Sequence, residues 1–558
     1  MSRISYTSGI SDVPLIGMTI GDKFDETVER YPNREALIVR HQNIRWTYSE
    51  LRDQVDRCAK ALIASGCNKG DRVGIWSPNR SEWTILQFAT AKVGVILVNI
   101  NPSYRLHELK YALTQSGCKM LVLADQFKTS NYSQMILELA PELRSSAFGN
   151  LNTKEFPNLK SAVVLSDTPD RGLRGWRDFL SGAEQISTEA LSERQSNLAF
   201  DEAINIQYTS GTTGYPKGAT LSHHNILNNG YFVARTMNFS EQDSLIIPVP
   251  LYHCFGMVMG NLGCITHGAK MIYPSEGFEP LEVLQAIEEE KATAVYGVPT
   301  MFIAQLEHPE FDQFDLSSLR TGIMAGSPCP IEVMKKVKSL MNMSEVQIAY
   351  GMTETSPVST QTKIGTSLEK QVSTVGQVHP HIEVKIIDPE TGFVQAINTP
   401  GELCTRGYSI MLGYWNDKER TAESIDPARW MHTGDLAVMD DEGYINIVGR
   451  IKDMIIRGGE NIYPREIEEF LYQHPKVSDV QVIGIPSQKY GEEVMAWIKP
   501  KPGESITEEE IKAFCDGQIT HFKIPKFYKF VDEFPMTVTG KIKKVEMRKI
   551  STAELNQV

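Results

Sequence analysis

The sequence predicts an α/β protein with more than one folding unit, and three observations support this prediction. Strand and helix patterns alternate over residues 47–124 and again over residues 243–341, which indicates largely parallel sheets covered on both faces. Residues 372–407 change to short β-type segments separated by turn signals. A compact α+β pattern begins after Gly449. At 558 residues, the chain is also too long for a single hydrophobic core.

Each element is predicted from the period of its apolar residues, three to four for helices and two or continuous for strands. The pattern of the first 48 residues predicts a helix at 20–31 and a hairpin-like pair of strands at 36–40 and 45–48. The first block predicts helices at 49–64, 81–92 and 106–115 and strands at 72–77, 94–99, 120–124 and 161–165. The second predicts strands at 243–249 and 294–297 and helices at 279–291 and 331–341. The last region predicts helices at 466–473 and 507–518, with Thr507 as cap, and strands at 477–485, 493–499 and 528–530.

Composition excludes several classes of protein. The formal charge of −13 argues against a general nucleic-acid binder, which needs a net basic face. The eight cysteines are scattered without a C-x-x-C pair, which favours a reducing compartment and no structural zinc. No signal-peptide core precedes Gly21, and no apolar run approaches the roughly 20 residues of a membrane helix. We therefore expect a cytoplasmic protein without an integral membrane segment.

A loop of glycines and hydroxyls, SGTTGYPKG at residues 210–218, lies between a predicted strand at 203–208 and a predicted helix at 221–236 capped by Ser222. Glycines allow backbone N–H groups to approach an anion closely, and the hydroxyls and Lys217 add donors and charge. The string is not the common P-loop, because Pro216 precedes the lysine and Gly218 follows it. It predicts a site for the phosphates of a nucleotide.

Seven more strings follow in order along the chain, several of them directly after predicted strands. Residues after the carboxyl ends of parallel strands face the crevice where α/β proteins bind ligands. The strings are PLYHCFG at 250–256, AGSP at 325–328, YGMTE at 350–354, WMHTGD at 430–435, GRIKD at 449–453, RGGEN at 457–461 and PMTVTGK at 535–541.

In this order and spacing, the strings resemble those of the AMP-forming acyl-CoA synthetases of the adenylate-forming superfamily, from about residue 20 to Lys544. The resemblance implies a large N-terminal region, residues 1–451, of two doubly wound α/β subdomains plus a β-subdomain. A small, mobile α+β C-terminal domain, residues 452–558, would follow, with its hinge at Lys452. It further implies activation of a carboxylic acid by ATP to an acyl-adenylate, then thioester formation with CoA, releasing AMP and pyrophosphate.

The resemblance also implies roles for individual residues in the first half-reaction. Glu354 and Thr209 would hold Mg²⁺, a cation that prefers oxygen ligands. Lys541 would bridge the carboxylate and the α-phosphate and stabilise the developing charge. A solvated surface lysine is the alternative for Lys541, since Lys543 and Lys544 follow it. The implied ATP contacts are Thr209, Ser210, Gly211, Thr212, Thr213, Gly214, Lys217, Gly326, Ser327, Tyr350, Gly351, Met352, Thr353, Asp435, Ile447 and Arg450.

For the second half-reaction, the resemblance implies rotation of the C-terminal domain about Lys452 and a CoA tunnel beside Gly458, Gly459 and Glu460. Lys523 would meet the CoA phosphates, and a solvated position at a helix end is its equal alternative.

The acyl pocket is expected beside His253, which the resemblance places near the reacting carboxylate; a structural histidine is the alternative. Its predicted lining is Tyr252, Phe255, Met257, Val298 and Ala325. These apolar residues favour an aliphatic or arylalkanoic tail. Residues 248–256 contain no aspartate to pair an α-ammonium group, which argues against an amino-acid substrate. The residues that make up these strings are most similar to those of the medium-chain branch of the family.

Two other functions remain open at this point. A stand-alone adenylation enzyme would use the same Lys541 chemistry and load a carrier protein instead of CoA. A non-catalytic nucleotide-binding scaffold is disfavoured because Lys541, Glu354, Asp435 and Arg450 are all present. The partners expected are small molecules, with no nucleic acid, and the oligomeric state is left open, a homodimer included.

Overall fold

The computed structural model describes residues 3–209, 216–327, 329–457, 460–536 and 542–555, with the backbone alone for Asn461. These residues divide into two compact units. The larger unit consists of Ser8–Glu383 and Thr405–Met431, and the smaller unit of Met1–Thr7, Val384–Cys404 and His432–Val558. Within the described ranges, no helix has the length and apolar character needed to cross a bilayer.

The strands in chain order are β1 Tyr6–Ser8, β2 Glu35–Val39, β3 Ile44–Thr47, β4 Arg72–Trp76, β5 Ile96–Ile100, β6 Met120–Leu123, β7 Gln126–Phe127, β8 Ser130–Asn131, β9 Ser161–Val164, β10 Arg174–Gly175, β11 Ala203–Thr209, β12 Lys217–Ser222, β13 Ser244–Ile246, β14 Lys270–Tyr273, β15 Ala294–Gly297, β16 Thr321–Ala325, β17 Glu345–Gly351, β18 Val358–Gln361, β19 Gln377–Val378, β20 Ile382–Ile387, β21 Gly401–Gly407, β22 Gly413–Tyr414, β23 Met431–Met439, β24 Ile445–Arg450, β25 Ile455–Arg457, β26 Glu460–Ile462, β27 Val477–Ser487, β28 Gly491–Pro500 and β29 Phe527–Phe530.

The α-helices are α1 Ile20–Arg30, α2 Tyr48–Ala64, α3 Ser81–Val93, α4 Leu106–Ser116, α5 Tyr132–Leu139, α6 Trp176–Ser181, α7 Thr188–Ser196, α8 His223–Thr236, α9 Gly263–His267, α10 Pro280–Glu290, α11 Pro299–Leu306, α12 Ile331–Leu340, α13 Leu368–Ser373, α14 Lys418–Ser424, α15 Pro464–Leu471, α16 Glu508–Cys515 and α17 Lys544–Leu555. A π-helix, Phe255–Leu262, leads directly into α9.

The larger unit is built on two mostly parallel sheets. The eight-stranded sheet has the order β10-β9-β6-β4-β5-β11-β12-β22, and the nine-stranded sheet has the order β19-β18-β17-β16-β15-β13-β14-β2-β3. Pairing is parallel from β10 to β11 in the first sheet and from β17 to β2 in the second. The strands β5 and β16 are buried at every position, as expected of parallel strands covered on both faces. The predicted α/β class is confirmed.

The end of the glycine-rich loop differs from the prediction. Residues 217–222 form strand β12, which pairs antiparallel with β11, and helix α8 begins at His223, not at residue 221. The predicted cap is confirmed, because the hydroxyl of Ser222 accepts the backbone N–H of Asn225. The prediction places residues 217–220 in the loop and residue 221 in the helix, but sheet hydrogen bonds to β11 and β22 satisfy this backbone.

The smaller unit contains two five-stranded sheets. One has the order β1-β20-β21-β23-β24, and the other has the order β26-β25-β28-β27 with β29 parallel to β28. Helices α15 and α17 contact β27 of the second sheet, and the Thr507 side chain caps α16 as predicted. This confirms the α+β character of the C-terminal region. The predicted division at Lys452 is not a boundary of these units and stays a prediction.

Candidate active site

Three adjacent strands of the larger unit bring predicted site residues to one sheet edge. Val298 follows β15, Gly326 follows β16 and Met352 follows β17. A Cβ atom added to Gly326 would lie 3.2 Å from Cγ1 of Val298, so the chain segments after β15 and β16 are in close contact. Because β15, β16 and β17 are parallel, this is the carboxyl edge at which α/β sheets bind ligands.

The turn after β17 is held tightly at Gly351. A Cβ atom there would lie 1.7 Å from the carbonyl oxygen of Pro357, so only glycine fits without a shift of the backbone. The N–H of Met352 donates to the same carbonyl at 3.0 Å, and the N–H of Thr355 donates to the carbonyl of Met352 at 2.8 Å. The short 3-10 turn Thr353–Thr355 therefore has a fixed position, and it carries Glu354.

Glu354 is a buried carboxylate, 5% exposed. Oε1 accepts the Thr209 hydroxyl at 3.1 Å and the Tyr414 hydroxyl at 2.8 Å. Among the described residues, no donor reaches Oε2. Burial, together with the nearby Glu354 charge, raises the pKa of Tyr414 far above its ordinary value, so this phenol stays a donor. A buried carboxylate with one oxygen available beside a hydroxyl suits a hard cation.

The glycine- and hydroxyl-rich loop predicted to bind phosphates, residues 209–217, is called the anion loop below. Its first and last residues lie beside the Glu354 carboxylate. Thr209, the last residue of β11, is the strand partner of Lys217, the first residue of β12. The Lys217 ammonium lies 4.7 Å from the centroid of the Tyr414 ring, a cation–π distance. The predicted phosphate contacts Ser210, Gly211, Thr212, Thr213 and Gly214 lie outside the described residues.

His253 lies at the beginning of the π-helix. Its carbonyl accepts the N–H groups of Gly256 and Met257, and its Nδ1 accepts the N–H of Phe255 at 3.2 Å. Because Nδ1 is an acceptor here, the neutral imidazole carries its proton on Nε2. π-Helical turns are rare and occur frequently at functional sites. The half-buried ring therefore has a defined tautomer and could donate from Nε2.

A buried network of amides, which the sequence did not predict, fixes the first turn of this π-helix. The thioether sulfur of Met257 accepts N–H groups from Asn99 at 3.2 Å and from Gln207 at 3.1 Å. Gln207 also donates to Asn205 and accepts from Cys254. These amides lie on β5 and β11, so the strand that ends at Thr209 is connected directly to the π-helix. The sequence of a strand does not indicate which residues its side-chain amides will hydrogen-bond.

The residues predicted to line the acyl pocket belong to one hydrophobic cluster. Phe255, Met257, Val298 and Ala325 are buried members of this cluster, and Tyr252 packs against it. The Phe255 ring lies 5.3 Å from the ring of Tyr296, between centroids. The structure thus brings these five residues into one apolar environment, and their contact with an acyl chain stays a prediction.

In the smaller unit, Asp435 and Arg450 face each other across β23 and β24. Nε of Arg450 lies 3.1 Å from Oδ1 of Asp435, and the side chains are 66% and 11% exposed, respectively. The carboxylate is therefore held at the sheet surface by a solvated guanidinium. Ile447 is on the same strand as Arg450, and its carbonyl accepts a hydrogen bond from Arg465.

The smaller unit also contains a side-chain group that the sequence did not predict, formed by Glu402, Cys404 and His432. Glu402 is 9% exposed, and its Oε1 accepts the Gly434 N–H at 3.1 Å while Oε2 lies 2.9 Å from Nδ1 of His432. The buried thiol of Cys404 is 3.6 Å from the same imidazole nitrogen. Glu402 is thirty residues from His432, and only strand packing brings the two together.

The remaining predicted residues lie toward the end of the chain. Lys541, Gly458 and Gly459 fall outside the described ranges. Glu460 begins β26 opposite Arg457, whose guanidinium lies 2.6 Å from the buried carboxylate of Glu493. Lys523 forms an ion pair with Glu466. Lys452 lies in a 3-10 turn, Ile451–Asp453.

Comparison with known proteins agrees with this geometry. The chain matches the AMP-binding enzyme family over residues 24–415 and the AMP-binding enzyme C-terminal domain over residues 466–541. "Putative acyl-CoA synthetase YngI" of Bacillus subtilis is 49% identical, over 96% of this chain and 97% of that protein. The mitochondrial medium-chain acyl-CoA ligase ACSF2 of Danio rerio is 45% identical, over 99% and 91%. Among solved structures, ATP-bound MatB from Rhodopseudomonas palustris matches with a TM-score of 0.82 and 28% sequence identity. The match covers 96% of this chain and 99% of that chain.

The two wound sheets, the carboxyl-edge residues and the C-terminal α+β region define an adenylate-forming enzyme, and the chain belongs to the AMP-binding enzyme family. It is an AMP-forming acid–thiol ligase: it activates a carboxylic acid with ATP as an acyl-adenylate and then forms the thioester with CoA.

Proposed function

We propose that the carboxylic acid is a medium-chain aliphatic acid. The observation that carries this proposal is that Phe255, Met257, Val298 and Ala325 are buried members of one hydrophobic cluster. The medium-chain ligase named among the relatives supports the same chain length. The absence of an aspartate in residues 248–256 supports exclusion of amino acids.

We propose that the nucleotide contacts the residues predicted from the sequence. Gly326, Ser327, Tyr350 and Met352 border the adenine, Gly351 is a further ATP contact, Thr353 contacts the α-phosphate, and the loop 209–217 holds the triphosphate. In the smaller unit, Asp435 accepts hydrogen bonds from the ribose hydroxyls, with Arg450 beside it and Ile447 on the base side.

Thr209 and Glu354 would hold Mg²⁺. The fit is supported by the buried Glu354 carboxylate, whose Oε2 has no hydrogen-bond donor in the described part of the chain. When bound, the cation supplies charge neutralisation between the anionic acid and the anionic triphosphate. Tyr414 keeps the carboxylate in the orientation that such a ligand needs.

Lys541 is the proposed catalytic residue for adenylation. A carboxylate oxygen of the acid attacks the α-phosphorus, the bond from that phosphorus to the bridging oxygen breaks, and pyrophosphate leaves with the bonding pair. An ammonium that bridges the two reacting groups stabilises the added negative charge. The Nε2 proton of His253 would be donated to the carboxylate of the acid and would orient it for attack.

In the second half-reaction, the CoA thiol attacks the adenylate carbonyl, the acyl–phosphate bond breaks and AMP leaves. We propose that residues 452–558 turn about Lys452 between the two steps. Gly458, Gly459 and Glu460 would border the pantetheine, and Lys523 would exchange its partner Glu466 for a CoA phosphate.

A pyrophosphate-release assay over saturated acids from acetate to palmitate, with and without CoA, tests the substrate proposal. We expect the largest kcat/KM between about six and twelve carbons, and hexanoate should exceed acetate by roughly 200-fold, since each of its four additional methylenes contributes about 0.8 kcal/mol when buried. A maximum at acetate or palmitate would refute it. Replacement of CoA by a holo-carrier protein separates the two acceptors, and thioester formation on CoA is expected.

The proposed role of Lys541 is tested by Lys541→Ala in the same assay. Adenylation should fall by about 10²-fold or more, while preformed acyl-adenylate should still be converted to the thioester. Lys543→Ala is the matched control, and it should retain adenylation. Equal adenylation by the Lys541 variant and the parent would overturn the mechanism.

The cytoplasmic location expected from the sequence remains a proposal, and the ACSF2 relatives carry the word mitochondrial in their names. The oligomeric state stays open, a homodimer included. Cell fractionation and light scattering of the purified chain test these two points separately.

A further inference from the structure

Glu402 is a buried carboxylate with a partner on each oxygen. It shares one face of β21 with Cys404, because residues two apart on a strand point the same way. One oxygen accepts the backbone N–H of Gly434, and the other is within hydrogen-bond distance of the His432 imidazole. A carboxylate this deeply buried is costly unless it is paired in this manner.

Both contacts fall on the short segment that leads to Asp435. Gly434 has a φ of +70°, the left-handed region, and a Cβ there would meet no atom within 4 Å. Its conformation is therefore not imposed by crowding, and the hydrogen bond that its N–H donates to Glu402 helps to fix the orientation of this peptide. Thr433 adds to this, since its hydroxyl donates to the Leu403 carbonyl at 2.7 Å and accepts the Asp435 N–H at 3.1 Å.

We propose that Glu402 is a positioning residue for ribose recognition. By fixing His432 and Gly434, it sets the direction of the Asp435 carboxylate, which is paired with the exposed Arg450. The inference rests on the proposed role of Asp435 in accepting the ribose hydroxyls. Glu402 itself touches no substrate in this assignment.

The same three side chains, Glu402, Cys404 and His432, could be considered as metal ligands, since their donor atoms lie within 4.8 Å of one another. The hydrogen-bond pattern favours the positioning role. Both oxygens of Glu402 already have partners, and a metal ion would have to displace His432 from Oε2. The tests below distinguish the two roles.

The decisive measurement is the ratio of kcat/KM for ATP to kcat/KM for 2′-deoxy-ATP and for 3′-deoxy-ATP. We expect Glu402→Ala to lower this ratio by roughly tenfold, mainly through KM for ATP, because a hydrogen bond to a charged group is worth about one factor of ten. Glu402→Gln keeps an oxygen for the Gly434 N–H and should restore most of the ratio. Glu402→Asp keeps the charge but is one methylene shorter, so it should give an intermediate ratio, and it carries the test if the alanine variant does not fold.

Asp479→Ala is the matched control. Asp479 also accepts a backbone N–H, that of Val480, and it accepts side-chain donors from Tyr472 and Gln481 in the same unit. This variant should lower the melting temperature without changing the ATP to deoxy-ATP ratio. If Asp479→Ala lowers the ATP to deoxy-ATP ratio as much as Glu402→Ala does, the decrease is caused by reduced stability of the protein. That result would overturn the positioning role.

Asp435→Ala separates the inference from the proposed function. If this variant retains the full ratio, the ribose role of Asp435 fails and the inference fails with it. If Asp435→Ala loses the ratio but Glu402→Ala retains it, only the inference is overturned. One zinc ion per chain that survives dialysis in the parent and is lost in His432→Ala would assign Glu402 to a metal and overturn the positioning role.

Discussion

The hydroxyl of Tyr414 donates a 2.8 Å hydrogen bond to Oε1 of Glu354, sixty residues away in the chain. The same oxygen accepts the hydroxyl of Thr209, so one carboxylate connects the start of the anion loop, the turn after β17 and strand β22. The Lys217 ammonium lies over the Tyr414 ring. Tyr414 thus contacts both the proposed metal-binding carboxylate and the lysine of the anion loop.

Removal of this hydroxyl should weaken magnesium-dependent activity without abolishing it. In Tyr414→Phe, Oε1 of Glu354 keeps only the Thr209 contact, and the carboxylate gains freedom to rotate. A hydrogen bond to a charged group contributes about 1.5 kcal/mol or somewhat more, so we expect the Mg²⁺ concentration for half-maximal activity to rise about tenfold. Pyrophosphate release over a Mg²⁺ titration measures this, and Glu354→Ala should have a larger effect.

The control for this variant is Tyr48→Phe. Tyr48 is a fully buried phenol of the same unit, and it donates a 2.7 Å hydrogen bond to the carbonyl of Ala269. Its loss should lower stability and leave the Mg²⁺ midpoint unchanged. A Tyr414→Phe midpoint equal to that of the parent would contradict the orienting role.

Gly351→Ala should disrupt the turn that carries Glu354. The added Cβ would lie 1.7 Å from the Pro357 carbonyl oxygen, a distance that requires movement of backbone atoms. We expect a loss of about 3 kcal/mol or more in the free energy of unfolding, together with loss of the thermal stabilisation that ATP confers. Thermal melts with and without ATP measure both effects. Gly17→Ala is the control, because a Cβ there would meet nothing within 4 Å, and its melting temperatures with and without ATP should equal those of the parent. If Gly351→Ala also has the parent's melting temperatures, the turn can adjust to the added Cβ and the prediction is wrong.

Met257→Leu should cost more than a methionine-to-leucine change usually does. The substitution conserves volume, which by itself costs under about 1.5 kcal/mol, but it removes the acceptor of the Asn99 and Gln207 amides. We expect about 1–2 kcal/mol of extra destabilisation and a higher KM for the acid, with KM for ATP unchanged. Met271→Leu, at a buried position on β14, is the comparison in urea unfolding and in kinetics. Equal effects at the two positions would show that the sulfur acceptor is unimportant.

Acid should destabilise the larger unit through His223. Burial lowers the pKa of this imidazole from 6.5 to about 4, and its Nδ1 accepts the Ile20 N–H. The unfolded chain binds the proton first, so the stability contributed by neutral His223 is complete above pH 6.5 and is lost as the pH falls from 6.5 toward 4. Each pH unit in that window costs about 1.4 kcal/mol.

The His223→Gln variant tests this, because the amide oxygen can still accept the Ile20 N–H but cannot titrate. Between pH 7.5 and 5.5, its loss of unfolding free energy should be about 1.4 kcal/mol smaller than the parent's. His521→Gln, at an exposed position, should keep the parent's slope. An unchanged slope in His223→Gln would assign the acid sensitivity to other groups.

The sequence by itself determined the class of this protein. Eight strings in a fixed order identified the adenylate-forming chemistry, and the alternation of strand and helix patterns predicted the wound sheets that the structure contains. Local signals also placed Ser222 and Thr507 as caps, because a cap depends on residues within one turn. These features could be predicted since each is encoded within a few neighbouring residues.

The tertiary structure alone decided which distant side chains meet. Tyr414 with Glu354, Glu402 with Gly434 and the amides around Met257 are contacts set by strand register and sheet order, which no local pattern specifies. The same reason explains why residues 217–222 proved to be a strand: their backbone is satisfied by β11 and β22, and β22 lies almost two hundred residues later in the chain. Sequence named the reacting groups, and long-range packing determined what orients them.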